Sequence, residues 1–223
     1  MDSRFASALR DLGLDLTPDQ IAAFDAFEEA LYAANEVMNL TRIPREEAWL
    51  RHFVDSLLFQ DLVPQGAEVL DIGTGPGFPA WPLACARPDL RVTALDSNGK
   101  MLGFLRSQPL PNLEVVQERA EEWDVFERFD VVTGRALAPL PVQIELSAPF
   151  LKIGGLLIPM RTPADDLREP AWEVVGLRPA GLHRRALPGT DVVRVFPLFV
   201  KERPSPDWCP RRWAEMKNNP LVR

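Results

Sequence analysis

The sequence predicts an α/β fold: a mostly parallel sheet with helices on both faces and one antiparallel strand, preceded by a helical N-terminal extension. Three observations carry this. The first sixty residues repeat apolar positions at helical spacing. From Ala67 onward, short β-branched or apolar runs alternate with helix-length segments, the texture of βαβ units. The stretch "VLDIGTGPGFP", Val69 to Pro79, then places a glycine-rich turn directly after the first such run.

In the extension, Thr17 and Gln20 form a capping box, Pro18 suits the first helical position, and Ile21, Phe24, Phe27 and Leu31 make one apolar stripe. After Pro44, "REEAWLRHFVDSLLFQDL" predicts a second helix with Leu50, Phe53, Leu57 and Leu58 on one side. The runs "AEVLDI", "RVTALD", "LEVVQ", "FDVVTG" and "GLLIPM" read as successive strands. The next two, "WEVVGL" and "VVRVFPLFV", are separated by a short Arg-, Pro- and Gly-rich stretch with no room for a full helix, so they are expected to pair as a hairpin. The expected organisation is a helical extension over 1–62, an α/β core over 63–201 and a basic, Pro-rich surface arm over 202–223.

Composition narrows the function classes. A chain of 223 residues, 46% hydrophobic, can bury a sizeable core. No apolar run approaches the ~18 residues that cross a bilayer, and the first residues lack the apolar centre of a secretory signal, so a cytoplasmic protein is expected. Cys85 and Cys209 lie far apart without a CxxC partner, which indicates neither a disulfide framework nor a metal site. The net charge of −7 argues against indiscriminate nucleic-acid binding. It is unevenly spread, however: residues 1–40 carry two arginines against eight acids, residues 178–223 ten Lys and Arg against four. A basic end on an acidic body permits a polyanionic partner, and a solvated charged surface explains the same count. With no long exposed apolar stripe, a monomer is expected.

In an open parallel sheet, ligands bind beyond the carboxyl ends of the strands, where the strand order reverses, and the glycine loop belongs to that rim. Gly73, Gly75 and Gly77 remove side chains where backbone must approach a ligand. The dinucleotide fingerprint GxGxxG needs a third glycine where this sequence has Phe78. Asp96, 19 residues after Gly77 at the end of the second strand, stands at the distance expected of an acceptor for both ribose hydroxyls. Asp71, Asp96 and Glu121 would repel a pyrophosphate and attract a sulfonium and an α-amino group. Three readings stay open on the loop alone: S-adenosyl-L-methionine, a dinucleotide, or a tight turn without a ligand. The acidic rim favours the first.

"NLTRI", "HFVDSLL", "VLDIGTGPGFPAWPLA", "DSNGKMLGFL", "ERAEEW", "FDVVTGRAL" and "CPRRWAEMKNNPL" together resemble, in order and spacing, the bacterial GidB/RsmG family from about Asn39 to the C-terminus. The resemblance implies a class I, Rossmann-like methyltransferase sheet and S-adenosylmethionine-dependent modification of guanine N7 in small-subunit (16S) ribosomal RNA. It places cofactor contacts at Gly73, Phe78, Asp96, Ser97, Ala120, Glu121 and Arg135. Phe78 would cover an apolar face of the cofactor, and Glu121 or the Ala120 backbone would take the adenine amino hydrogen. Departures from the family pattern are Trp81 in place of a glycine, "LLIPMRTP" in place of a lysine after the fifth strand, with Arg161 as a substitute, and "CPRR" where a tyrosine precedes the proline. The last puts the tail's contact with RNA in doubt.

Guanine N7 presents an unprotonated lone pair, so methyl transfer to it is expected to be a direct displacement with no base removing a proton first. The chain has neither the Asn/Asp-Pro-Pro-aromatic run used on exocyclic amines nor a cysteine placed for carbon-5 attack. The resemblance puts Asn39, His52, Arg119 and Arg135 around the acceptor, with Arg135 best suited to a forked bond to O6 or a phosphate. Asp55 and Ser56 share a helix face with His52, so Asp55 is expected to orient the imidazole. An acidic body that rejects bare RNA predicts a preference for the 30S subunit or a ribonucleoprotein intermediate. The alternatives are a methyltransferase acting on a small molecule or protein, and a non-catalytic nucleotide-binding regulator.

Overall fold

The computed structural model describes residues 3–165 and 171–221; the outer ends of the predicted extension and arm and residues 166–170 lie outside the described residues. Two helices open the chain, α1 (Ser3–Asp11) and α2 (Pro18–Met38). The predicted capping box forms: the Gln20 amide donates to Thr17 Oγ1 at 3.2 Å and the Thr17 amide to Gln20 Oε1 at 2.8 Å. Phe24, Phe27 and Leu31 bury the predicted stripe, and α2 ends at Asn39 in the left-handed conformation, φ 53°.

The second predicted helix is not one regular α-helix. It runs as a 3-10 turn (Arg45–Glu47), a π-helical stretch (Trp49–Val54), a short α3 (Asp55–Leu57) and a further 3-10 turn (Gln60–Leu62). Every residue from His52 to Gln60 is buried, polar ones included. A segment enclosed on all sides cannot show the two-faced periodicity of a surface helix, and π geometry is common where polar side chains are brought together for function.

Seven strands form one sheet: β1 (Glu68–Ile72), β2 (Arg91–Asp96), β3 (Leu113–Gln117), β4 (Phe129–Arg135), β5 (Leu151–Met160), β6 (Leu177–Ala186) and β7 (Val193–Lys201). Their order is β3-β2-β1-β4-β5-β7-β6, parallel except that β7 runs antiparallel to both its neighbours. Helices α4 (Ala80–Ala86), α5 (Gly99–Arg106) and α6 (Leu140–Ser147) follow β1, β2 and β4. Strand alternation sends Val69, Val131 and Ile158 into the cluster shared with α1, α2 and α4, and Leu70, Val132 and Leu157 into the one shared with α6. Among the described residues no helix is long and apolar enough to cross a membrane.

The expected hairpin exists, but its first strand lies further along the chain. Trp172–Val175 is a 3-10 turn, and the Arg-, Pro- and Gly-rich stretch read as the connection is itself β6. As an edge strand with mostly exposed side chains, β6 needs no apolar alternation, and its ladder to β7 breaks register between Pro179 and Gly181. The tail has structure of its own. Most of its described residues are exposed, yet it is anchored by the burial of Cys209 and Met216 and carries a helix, α7 (Trp213–Asn218).

The strand order reverses between β1 and β4, so the loops leaving these two strands open onto one crevice.

Candidate active site

The glycine loop leaves β1 under tight local restraint. The Gly73 and Thr74 amides donate to the Leu95 carbonyl at 2.8 and 3.2 Å, fastening the loop to β2. Gly73 has φ +74°, and a Cβ there would lie 2.7 Å from Leu137 Cδ1; at Gly77, φ +118°, it would lie 2.7 Å from Leu105 Cδ1. These two positions require glycine for both conformation and space. Beneath the loop, Asp71 is wholly buried and accepts the Ala80 amide at 3.1 Å, which ties the strand to the start of α4. Burial pushes its carboxyl up to about 7, so Asp71 supports the loop from below and is not part of the accessible acidic rim.

Beside this loop lies a cleft of about 390 Å³, within the range of small-ligand sites. Gly73, Asp96, Ser97, Ala120 and Glu121 line it, as the sequence predicts, together with Leu95, Leu137, Leu146 and Trp213. Asp96 Oδ2 accepts the Gly75 amide at 2.8 Å and Oδ1 the Asn98 amide at 2.8 Å. Each carboxylate oxygen has a second lone pair, so Asp96 is oriented by the backbone and still able to accept two hydroxyls. Arg119, expected around the acceptor, lines this cleft together with Asp96 and Glu121. Its guanidinium pairs with Glu121 at 2.7 Å, cancelling one charge and leaving Asp96 and Glu118 to keep the lining acidic.

A second cleft of about 530 Å³ adjoins the first, and Ala136 lines both. Ala136 is a non-glycine residue with φ 53°, directly after β4. Four arginines line the second cleft, Arg51, Arg135, Arg161 and Arg194, against the carboxylates of Asp55 and Asp165. The side chain of Asp55 is 2% exposed and accepts a fork from Arg194, 2.7 Å from Nε and 3.0 Å from Nη2, with Arg135 Nη1 at 3.4 Å. Arg161 donates to the Ala138 carbonyl at 2.7 Å and to Gln143 at 3.2 Å.

Several expected roles change. Asp55 does not orient His52, because two guanidiniums occupy it; the His52 Nε2 partner is Thr41 Oγ1, at 2.8 Å. Burial first, then Arg135 and Arg51, holds the His52 imidazole down at about 3, neutral at physiological pH. The Phe78 ring, expected to cover the cofactor, lines neither cleft: it is 3% exposed, stacked on the His52 ring at 4.2 Å, and lies under the Arg135 guanidinium at 5.3 Å. It acts as a floor that links loop, imidazole and guanidinium. Asn39 caps α2 and lines neither cleft; two residues further on, Thr41 makes the contact with His52. Gly75 and Gly77 shape the loop without lining the cleft. The sequence reading missed Arg194, although a lone arginine within the apolar run "VVRVFPLFV" was a signal for it.

The family model described as "rRNA small subunit methyltransferase G", GidB, matches residues 20–174. The chain belongs to the GidB family. Relatives named ribosomal RNA small subunit methyltransferase G support this: one from Lactobacillus delbrueckii subsp. bulgaricus is 36% identical, covering 97% of this chain and 98% of its own, and one from Moorella thermoacetica is 35% identical, covering 99% and 98%. Among solved structures, the methyltransferase complexed with the Haloferax volcanii Trm112 activator superposes with TM-score 0.55 at 15% identity, covering 71% of this chain and 93% of that one. A SAM-dependent methyltransferase from Aquifex aeolicus gives 0.51 at 17% identity, covering 69% and 93%. These two likenesses concern the fold. The GidB match also spans both loops that meet at the crevice, those after Ile72 and Arg135.

Proposed function

We propose that this GidB-family chain transfers a methyl group from S-adenosyl-L-methionine to N7 of a guanine in small-subunit ribosomal RNA. The observation that carries the reading is the pair of clefts sharing Ala136, one acidic and one lined by four arginines. The acidic cleft suits a cationic sulfonium donor better than a pyrophosphate, and the arginine cleft suits a base flanked by phosphates. Gly73, Asp96, Ser97, Ala120 and Glu121 hold the donor, which when bound supplies the methyl group.

The chain's own part is positioning. Guanine N7 needs no proton removed, and His52, neutral, buried and lining neither cleft, is not a base: held by Thr41 and stacked on Phe78, it supports from below the ring on which the Arg135 guanidinium lies. Arg135 donates to Asp55 and the Arg51 carbonyl through Nη1, and Nη2 remains to reach O6 or a phosphate. Aligning N7 with the methyl group in a direct displacement is worth several kcal/mol, on the order of other positioned reactions.

Aniline cleavage after borohydride treatment detects 7-methylguanosine. Small-subunit RNA from cells lacking this protein should lose one cleavage that the purified protein restores; an unchanged pattern refutes the reading. Arg135→Ala should lower the methylation rate at least 100-fold while the protein stays folded. Because the body is acidic overall, assembled 30S subunits or ribonucleoprotein intermediates should be methylated faster than protein-free transcript.

A further inference from the structure

We infer that Trp213, on the C-terminal arm, is the wall against which the adenine ring of S-adenosylmethionine stacks, so that the arm belongs to the donor site. This rests on the donor proposed above. Trp213 lines the acidic cleft together with Leu95, Leu146 and Ala120, although it lies 92 residues beyond Glu121, the last polar group of that lining. With Asp96 placed for the ribose, the base belongs among Ser97, Ala120 and Glu121, whose polar groups serve its edge. A flat heterocycle also needs a face to lie on, and an indole is the best such surface a side chain provides.

The arm is built to hold that indole still. Arg211, two residues before Trp213, forms a fork on Glu145 at 2.7 and 2.6 Å, and its amide donates to the same carboxylate at 3.1 Å. Glu145 is wholly buried on α6, next to Leu146, which itself lines the cleft. The Cys209 thiol donates to the Glu145 carbonyl at 3.4 Å, Met216 is the buried residue of α7, and Arg211 closes the helix by donating to the Asn219 carbonyl at 3.0 Å. One helix thus supplies both a side of the cleft and the anchor of the arm. The charge of Arg211, one of the arm's cations, is cancelled inside the protein, whereas Arg212 and Lys217 stay exposed.

Calorimetry on the full-length protein tests this with two probes, S-adenosylmethionine and 5′-methylthioadenosine, which keeps the base and ribose but lacks the amino-acid end. Base-on-aromatic stacking implies that Trp213→Ala weakens both probes about tenfold, and that Trp213→Phe, which keeps an aromatic face, stays within about threefold of wild type. Trp213→Leu, which keeps apolar packing without a ring system, should behave like the alanine variant and guards against simple loss of structure. If the alanine and leucine variants bind both probes as wild type does, or lose only S-adenosylmethionine, the wall does not serve the base and the inference is wrong. If wild-type protein binds neither probe, the donor assignment itself fails and this inference falls with it.

Discussion

Asp55→Ala withdraws the acceptor shared by two guanidiniums in the arginine-lined cleft. Arg194 loses a fork with bonds of 2.7 and 3.0 Å, and Arg135 loses a longer contact of 3.4 Å. Hydrogen bonds to charged groups contribute roughly 1.5–3 kcal/mol each, so the fork alone accounts for roughly 3–6 kcal/mol. Both arginine side chains keep about a fifth of their exposure, 20% and 21%, and can turn partly toward water. That recovery places the expected loss at the lower end, about 3 kcal/mol, in line with opening a buried ion pair. Urea unfolding at pH 7 measures it. Asp55→Ala combined with Arg194→Ala should cost less than the sum of the two single changes by about 1.5 kcal/mol or more, since the second removes the cation the first leaves unpaired. A loss below about 1 kcal/mol for Asp55→Ala, or strict additivity, would show that this carboxylate does not hold the cleft together.

Two further outcomes follow from the loop and its floor. Gly73→Ala places a methyl 2.7 Å from Leu137 Cδ1 at a φ that L-residues disfavour; because Leu137 lines the donor cleft, S-adenosylmethionine affinity should fall about tenfold and stability by about 1–2 kcal/mol. Gly75→Ala meets only Met101 Sδ at 3.5 Å and should cost about 1 kcal/mol with little change in affinity, so equal behaviour of the two variants in calorimetry would contradict this account. His52 provides a pH signature. With its folded value near 3 and its unfolded value near 6.5, the unfolded chain binds more protons between these limits, so stability declines on acidification, by about 2 kcal/mol at pH 5. Asp71, raised to about 7, acts in the opposite direction over the same range. The His52 contribution is therefore the difference between wild-type and His52→Gln unfolding curves, and parallel curves from pH 7.5 to pH 5 would disprove it.

The sequence was most readable where local rules act alone. Arg91–Asp96 and Leu113–Gln117 are strands over the same residues as the runs that announced them, and the Thr17–Gln20 cap formed as its spacing required. Reading became harder where partners distant in the chain decide. Edge strand β6 takes its form from β7 and not from its own Pro- and Gly-containing pattern. Asp55 was assigned to its helix neighbour His52, whereas its fork comes from a residue 139 positions away. Arg211 and Glu145, 66 positions apart, anchor to the packed molecule an arm that reads only as basic and Pro-rich. In the site itself, the residue types of the donor cleft were legible because they sit on strand ends whose order the βαβ pattern implies. The direction of Phe78 was not legible, because where a side chain points within a tight loop depends on what fills the space behind it, here the His52 ring.

Ala136 gives the two clefts a partition one residue thick. A boundary this thin leaves no independent adjustment of the two compartments: a backbone displacement there carries both clefts, and with them the proposed donor and acceptor seats. Variation in what the arginine-lined cleft accepts thus falls to residues such as Ile43 and Thr162, which line that cleft alone and belong to none of its ion pairs.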